Sequence, residues 1–389
     1  MPEFCCHEGV CELPREEWNA LVGEESPFLE WEWLSSLEEG GAVHPERGWA
    51  PRPLVAREDG RVVAACPLYV KGHSEGEFVF DWSWADAALR AGIRYYPKLL
   101  VGVPFTPVTG GRLLVAPGED AARRREELAA ALRVLCSRWE LSSVHVNFCR
   151  EKEIAPLEGA GFLPRLGLQY HWHNEGYRSF EDFLARLRSR RRNQIRRERR
   201  ALAEQGIRVE VYRGDGIPDE LFEAAFAFYR ATVTEHPYGR QYLDWPVFEK
   251  LRERFRHRLC LLVARRGGEM LGGTLNVEKG DTLYGRYWGA LAPVRYLHFE
   301  VCYYRAIEYC IERGLARFEP GAGGEYKQMR GFDARPTWSA HYLADPRLRR
   351  AVADYLREER REVREAEAFY LVRSALKERE PGREPGRPS

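Results

Sequence analysis

The sequence predicts a mixed α/β fold in which one order of strands and helices occurs twice. Three observations carry this. The chain has 389 residues, and at roughly 150 residues per domain that allows two or three domains. Hydrophobic residues make up 44 % of it, enough for cores of ordinary size. Strand-like runs alternate with amphipathic helical runs in both halves, the pattern of an α/β unit with a mixed sheet.

In chain order, residues 3–11 read as a first strand and residues 14–22 as a helix. Ser26 and Pro27 then suit the N-cap and first position of a helix that Gly40-Gly41 stops. PLVARE and RVVAACPLYVKG flank Asp59-Gly60, a strong hairpin signal. Residues 98–103 and the GRLLVAP run read as strands, and residues 119–139 as an amphipathic helix with Leu128, Ala131, Leu132 and Leu135 on one face. SSVHVNF is a strand, and a short helix and a strand follow over EIAPLEGAGFLPRLGLQYHW. The order then recurs: strand 207–213, helix 218–235, a hairpin of 258–266 with 269–278 about Gly267-Gly268, strand 281–289, a helix from Tyr296 and strand 316–320. A charged surface helix is expected over 347–376, and a disordered tail over 377–389, rich in proline and glycine. The expected division is 1–175, a linking arginine helix 176–206, 207–376 and the tail.

The linking helix concentrates charge. Nine arginines lie between Arg186 and Arg200, against the single acid Glu198. Phe183, Leu187 and Ile195 supply an apolar seam. A face dense in guanidinium suits phosphate, so Arg190, Arg191, Arg192, Arg196 and Arg197 are candidate anion ligands. The partners left open are a phosphate-bearing donor, RNA, peripheral contact with anionic lipid, or simple pairing with the acidic helices. The net charge of +1 by itself selects no partner.

The helix from Tyr296 carries the candidate chemistry. At 100° per residue, His298, Arg305, Glu308, Glu312 and Arg313 share a solvated arc. Glu300 falls outside it, beside Tyr303, Tyr304, Ile307 and Ile311. A carboxylate on an apolar face must find a partner or have its pKa raised, and a raised pKa suits a general base. Its position in the first helical turn equally suits a structural Glu. Glu319, ending a short strand before Gly321-Ala322-Gly323-Gly324, is a second candidate base, and Tyr304 a candidate proton donor. Lys327 and Arg330 are candidate contacts for an acidic group or phosphates, with His298 and Tyr303 as further substrate contacts. The aromatic stretch 73–105 offers His73, Asp81, Asp86 and Lys98 as an acceptor-binding set.

No run approaches the ~18 apolar residues of a membrane span, and the N-terminus carries early acids, so a cytoplasmic location is expected. Cys66, Cys149, Cys260, Cys302 and Cys310 sit in apolar patterns as free thiols do. Cys5, Cys6, His7 and Cys11 lack a second ligand pair, and no metal is expected.

The runs SPFLEWEWLSSLEEGGAV, VPFTPVTGGRLL, RRNQIRRERRALAEQG and above all HFEVCYYRAIEYCIERGLARFEPGAGGEYKQMRGF resemble the FemAB-like branch of the GNAT acyltransferases, the peptidoglycan biosynthesis or recognition proteins. The resemblance spans nearly the whole chain. It implies two tandem GNAT-like acyl-CoA N-acyltransferase domains and transfer of an acyl or aminoacyl group to an amine, here on a small-molecule or muropeptide-like acceptor. No tightly bound cofactor is implied; acyl-CoA or aminoacyl-tRNA would be the donor. One departure bears on the donor. The Arg/Gln-x-x-Gly-x-Gly/Ala turn with which acetyl-CoA-using relatives hold pyrophosphate is missing from both VAPGEDAARR and GALAPVRYLHFE. A non-catalytic protein of the same fold, recognising a glycan-peptide or RNA, is the alternative this leaves open.

Overall fold

The computed structural model describes residues 2–235 and 240–377. They form two compact units, one from residues 2–168, 242–251 and 336–365, the other from residues 169–235, 240–241, 252–335 and 366–377.

The first unit holds two sheets. Asp59 and Gly60 both take positive φ, 52° and 77°, the backbone that a tight hairpin turn needs and that Asp-Gly supplies. The turn pairs Leu54–Glu58 with Arg61–Cys66 in a small antiparallel sheet that adds Glu3–Cys6 and Leu114–Val115. Pro67 has no amide hydrogen for a ladder, and the second hairpin run, read from the sequence as one strand, breaks there. Leu68–Lys71 instead lies in a second sheet, antiparallel to Trp49–Pro51 and to Lys98–Val101. Lys98–Val101 runs parallel to Ser143–Cys149, and the helix Ala121–Arg138 makes the crossover that parallel pairing requires. Residues 338–343 of the strand Asp333–Leu343 pair with the far side of Ser143–Cys149. Leu128, Leu132 and Cys136 of the crossover helix bury against Leu99, Val101, Val144 and Val146.

The second unit repeats that order. Ile207–Arg213, Leu259–Arg266, Glu269–Lys279 and Thr282–Ala290 form a continuous antiparallel ladder. The helical segment 297–313 then crosses over to Arg317–Glu319, parallel to Thr282–Ala290. That parallel pairing covers only Thr282, Leu283 and Tyr284 before the two strands part. The helix Glu220–Glu235 lies very close to the ladder: a Cβ on Gly289 would sit 1.7 Å from the Phe228 carbonyl oxygen, so only glycine fits.

Several sequence expectations are corrected. The first strand is Glu3–Cys6, followed by a short turn at Val10–Glu12. Ser26 and Pro27 open a separate short turn, Pro27–Leu29, and the helix starts only at Trp31, without a side-chain cap from Ser26. The arginine segment is two helices, Phe180–Arg186 and Ser189–Ala203, because Leu187 is extended (ψ 148°) and bridges to Leu376. The helices Trp82–Arg90 and Trp245–Arg254 and the long strand Asp333–Leu343 were not anticipated. The charged C-terminal helix, Pro346–Val372, is not wholly on the surface, since Leu348, Val352 and Leu356 bury with Trp84 and Tyr95. Cys302 is only half buried, unlike Cys66, Cys149, Cys260 and Cys310. The tail expected over 377–389 lies, apart from Lys377, outside the described residues.

Candidate functional site

The helix that carries Glu300 is not regular. It enters at Tyr296 in the left-handed region (φ 69°), turns once over Leu297–Phe299, widens into a π turn over Glu300–Tyr304 and returns to α geometry from Arg305 to Arg313. A π turn closes i→i+5 bonds and holds one more residue than an α turn. It therefore rotates Glu300 back toward Glu308, which an unbroken wheel sets ~80° away. Both carboxylates now reach one guanidinium. Arg199 donates from Nε to the two oxygens of Glu300 at 3.1 Å each, and from Nη2 to Glu308 Oε2 at 3.0 Å.

Glu300 is 6 % exposed. Burial pushes its carboxyl above the usual range against the pull of Arg199. It lines an open cleft of about 570 Å³ together with Glu181, Glu308, Arg196, Arg199, Arg200, Arg208 and Arg305. Phe180 forms one wall, 4.6 Å beneath the Arg199 guanidinium. Of the candidate anion ligands, Arg196 is in this cleft and pairs with Glu181. Arg191 is held by Gln194 at 3.1 Å, Arg192 is half-buried, and Arg190 and Arg197 are exposed.

A second network meets the same helix one turn on, at Tyr304. Tyr304 donates its hydroxyl proton to Glu198 and accepts from Arg330 Nε at 3.0 Å. Glu198, the lone acid of the arginine run, is 2 % exposed and also accepts from Gln194 at 2.8 Å. Arg330 stacks 3.5 Å above Phe299. Three residues earlier, Lys327 is 2 % exposed, and its Nζ donates to the carbonyls of Gly321 (2.7 Å) and Ala322 (3.3 Å). Those carbonyls turn inward because Gly321, Gly323 and Gly324 adopt φ of 88°, 72° and 82°, open to glycine and costly for other residues. Among the described residues no carboxylate pairs with Lys327. Burial lowers its ammonium to about 8.

Tyr303 and His298 meet in an aromatic cluster, ring centres 5.3 Å apart, with Trp288 4.5 Å from His298. Burial pushes His298 down to about 4, so it is neutral near pH 7 and half-buried, not on the solvated arc where the wheel sets it. Glu319 is buried at the point where the parallel strands part and forms an ion pair with Arg317, whose Nε lies 3.0 Å from its Oε1. His171 lies 3.9 Å away; burial holds that ring at about 3, so the contact is not an ion pair.

In the first unit, Asp81 and Lys98 are brought together and Asp86 is not. Lys98, without solvent exposure, donates to Asp81 at 2.5 Å, to Glu77 at 3.0 Å and to Ser74 at 2.8 Å. Asp81 also takes the Tyr95 hydroxyl at 2.6 Å. Burial opposes the charge on Asp81, yet Lys98 holds its carboxyl well below the usual range. Glu77, where burial outweighs Lys98, is raised to about 7. Asp86 is exposed on the helix Trp82–Arg90, a turn and a half past Asp81, so it cannot join the cluster. His73 stands at the edge: its Nδ1 accepts from the Glu75 amide at 3.1 Å, which leaves Nε2 to donate to the Arg47 carbonyl at 2.9 Å. Beneath the cluster His145 and His341 share a 2.7 Å Nδ1–Nδ1 hydrogen bond, both rings held neutral by burial.

Sequence reasoning missed Arg199, Glu198, His145 and His341. Glu198 was findable, since it lies three residues after Ile195 and four before Leu202 on the buried seam. His145 stands in the fully buried run SVHVNFC. Arg199 was one of nine similar arginines with nothing local to single it out.

Among the described residues no helix is long and apolar enough to cross a membrane. A comparison of the sequence with curated proteins finds no match. Among solved structures the fold is shared with FemX (TM-score 0.55, 12 % identity, 88 % of this chain and 98 % of that one). It is shared also with L-PGS from Bacillus licheniformis (0.54, 9 %, 88 % and 97 %). A third is a C-terminal domain from Agrobacterium fabrum assigned as a lysylphosphatidylglycerol synthetase (0.54, 11 %, 87 % and 94 %). The mixed α/β class expected from the sequence is the one observed, in two compact units built on mixed sheets, and it is the fold these structures share. The sequence profile described as peptidoglycan biosynthesis/recognition matches residues 9–378, and the chain belongs to that FemAB-like family.

Proposed function

We propose that the second unit transfers an acyl or aminoacyl group to the amine of a muropeptide-like acceptor. The observation that carries this is Lys327, a buried ammonium without a carboxylate partner among the described residues, anchored by the glycine-loop carbonyls where the two parallel strands part. Two of its three N–H groups are spent on those carbonyls, and the third is free for an oxygen that gains charge. In the reaction the amine nitrogen bonds to the acyl carbon and the carbonyl oxygen becomes an oxyanion facing Lys327. The bond to the leaving oxygen or sulfur then breaks, and the amine's proton ends on that atom. A preset cation at a developing oxyanion is the usual dominant contribution to such a reaction.

Glu300 has a different task in this scheme. Both its oxygens face Arg199 in an ion pair, so in this scheme it serves as a positioning residue that fixes Arg199 in the cleft. Glu300→Gln is then expected to lower turnover without moving its pH profile. A profile shifted or flattened by that change would make Glu300 the base instead.

The reading is tested by incubating the full chain with a muropeptide precursor bearing a free amine and, in turn, with acyl-CoA and with aminoacyl-tRNA, and detecting the new amide by mass. An amide from either donor is expected. Stabilisation by the muropeptide in a thermal melt with no amide from any donor would leave a recognition protein and overturn the proposal.

A further inference from the structure

The second unit holds another cleft, apart from the one that Arg199 lines, with a volume of about 400 Å³. Three strands meet there: Arg213 closes Ile207–Arg213, Leu259 opens Leu259–Arg266 and Lys279 closes Glu269–Lys279. The turn Gly280-Asp281 lies at the same end of the sheet, where Thr282 and Arg317 begin their parallel pairing. The glycine loop and Lys327 follow the other end of that pairing, so this cleft is no part of the proposed transfer site.

The lining is polar and mainly cationic. Of the residues that line it only Leu259 is apolar. Arg213, Arg258 and Lys279, with His257 beside them, stand against Asp215 and Glu278. Glu278 is neutralised from outside the cleft: it accepts the Tyr309 hydroxyl, and Arg313, which is not in the lining, lies 3.3 Å away. Its contact with Arg213 is longer, 3.9 Å. Asp215 is exposed and pairs with nothing among the described residues. Three cations therefore stand against one carboxylate, an excess of two charges. Lys279 is 9 % exposed, so little water screens its charge from an anion in the cleft. The walls are held before any ligand arrives. Tyr309 and Arg313 tie Glu278 to the helix Arg305–Arg313. The Asp281 carbonyl accepts from the amides of Ala316 and Arg317 at 2.8 and 3.2 Å, which ties the turn to the strand Arg317–Glu319. A pre-formed cleft loses little binding energy to ordering itself.

From this charge and shape we infer that the cleft binds a phosphate dianion, free or carried on a small polar molecule. A phosphate ester near pH 7 carries about 1.5–2 negative charges, which the excess in the lining matches. The guanidiniums of Arg213 and Arg258 offer paired N–H donors of the geometry that phosphate oxygens accept. The volume is more than one phosphate fills and lies among small-molecule sites, ~300–1,000 Å³. With a single apolar side chain in the lining, the rest of the ligand is rich in hydroxyls rather than hydrocarbon. Binding here involves no transfer chemistry and does not depend on whether the second unit is a transferase.

The experiment is a phosphorus NMR titration of inorganic phosphate, glycerol 3-phosphate and ribose 5-phosphate with the full chain, at about pH 7.5, where the esters are mostly dianionic. It is repeated on Arg213→Gln, Asp215→Asn and, as a control in the cleft near Arg199, Arg200→Gln. Arg213 is 53 % exposed, and its loss leaves Glu278 with Tyr309 and Arg313, so no charge is orphaned; a circular-dichroism melt verifies each fold. The native chain is expected to bind both esters, and more tightly than inorganic phosphate. Arg213→Gln should weaken binding about tenfold, the effect of losing one charge-assisted contact. Asp215→Asn should tighten it about threefold by removing a like charge, and Arg200→Gln should change nothing. Equal affinity for all three probes keeps the phosphate site and makes the free ion its occupant. No binding of any probe up to about 10 mM, or an affinity that follows Arg200 and ignores Arg213 and Asp215, overturns the inference.

Discussion

Replacing Lys327 with methionine is expected to cut transfer about 100- to 1,000-fold, the usual result of removing one oxyanion donor. Methionine keeps the length and the burial while deleting the charge. The Gly321 and Ala322 carbonyls lose their donor, which costs about 1–3 kcal/mol of stability and is visible as a modest fall in melting temperature. The kinetic loss should appear in kcat and leave KM nearly unchanged, because the oxyanion exists only on the way to product. The native pH profile should show the same group. Burial sets Lys327 at about 8, so the ammonium is present at pH 7 and activity falls as pH rises through about 8. Lys327→Arg should not rescue, since a planar fork cannot take the place of a compact ammonium between two carbonyls. A loss under tenfold, or one confined to KM, would remove Lys327 from the chemistry.

Lys98→Met is the counterpart in the first unit, and it is expected to act on stability. The lysine, Asp81 and Glu77 are all but excluded from water. Deleting one partner of such a pair leaves buried charge uncompensated, at a cost of about 3–5 kcal/mol, a large share of the ~5–15 kcal/mol that holds a domain folded. The cost should grow with pH. Glu77 is raised from an ordinary value near 4.5 to about 7, so its contribution is fully present below about 4.5 and is lost as pH rises through about 7. Without Lys98 its carboxyl rises further, and Asp81 rises too. Urea unfolding at pH 4.5 and pH 8 should therefore show the smaller loss at the acid end. Adding Asp81→Asn and Glu77→Gln to Lys98→Met should recover part of the stability. A loss below about 1 kcal/mol at both pH values would mean that water reaches the pair.

What the sequence disclosed follows from how local each signal is. The Asp59-Gly60 turn, the strand Ile207–Arg213 and the crossover helix 121–138 depend on neighbours within a few residues, and they were readable. So was the burial of Glu300, which needs only the face of one helix. Its partner was not, because Arg199 meets Glu300 across 101 residues of chain. The His145–His341 contact spans 196 residues and rests on a strand whose period is interrupted by Arg335-Pro336. The break at Leu187 was hidden by an unbroken helical composition; only the extended pairing with Leu376 ends the helix there.

The wide turn at Glu300–Tyr304 gives its helix two angular phases, one for residues before it and one for those after. Taking a single residue out of that turn would swing everything upstream by about 100° and carry Glu300 off the guanidinium that now spans it and Glu308. A redesign that straightens this helix to ideal geometry would thus keep every amino acid of the cleft and still dismantle it.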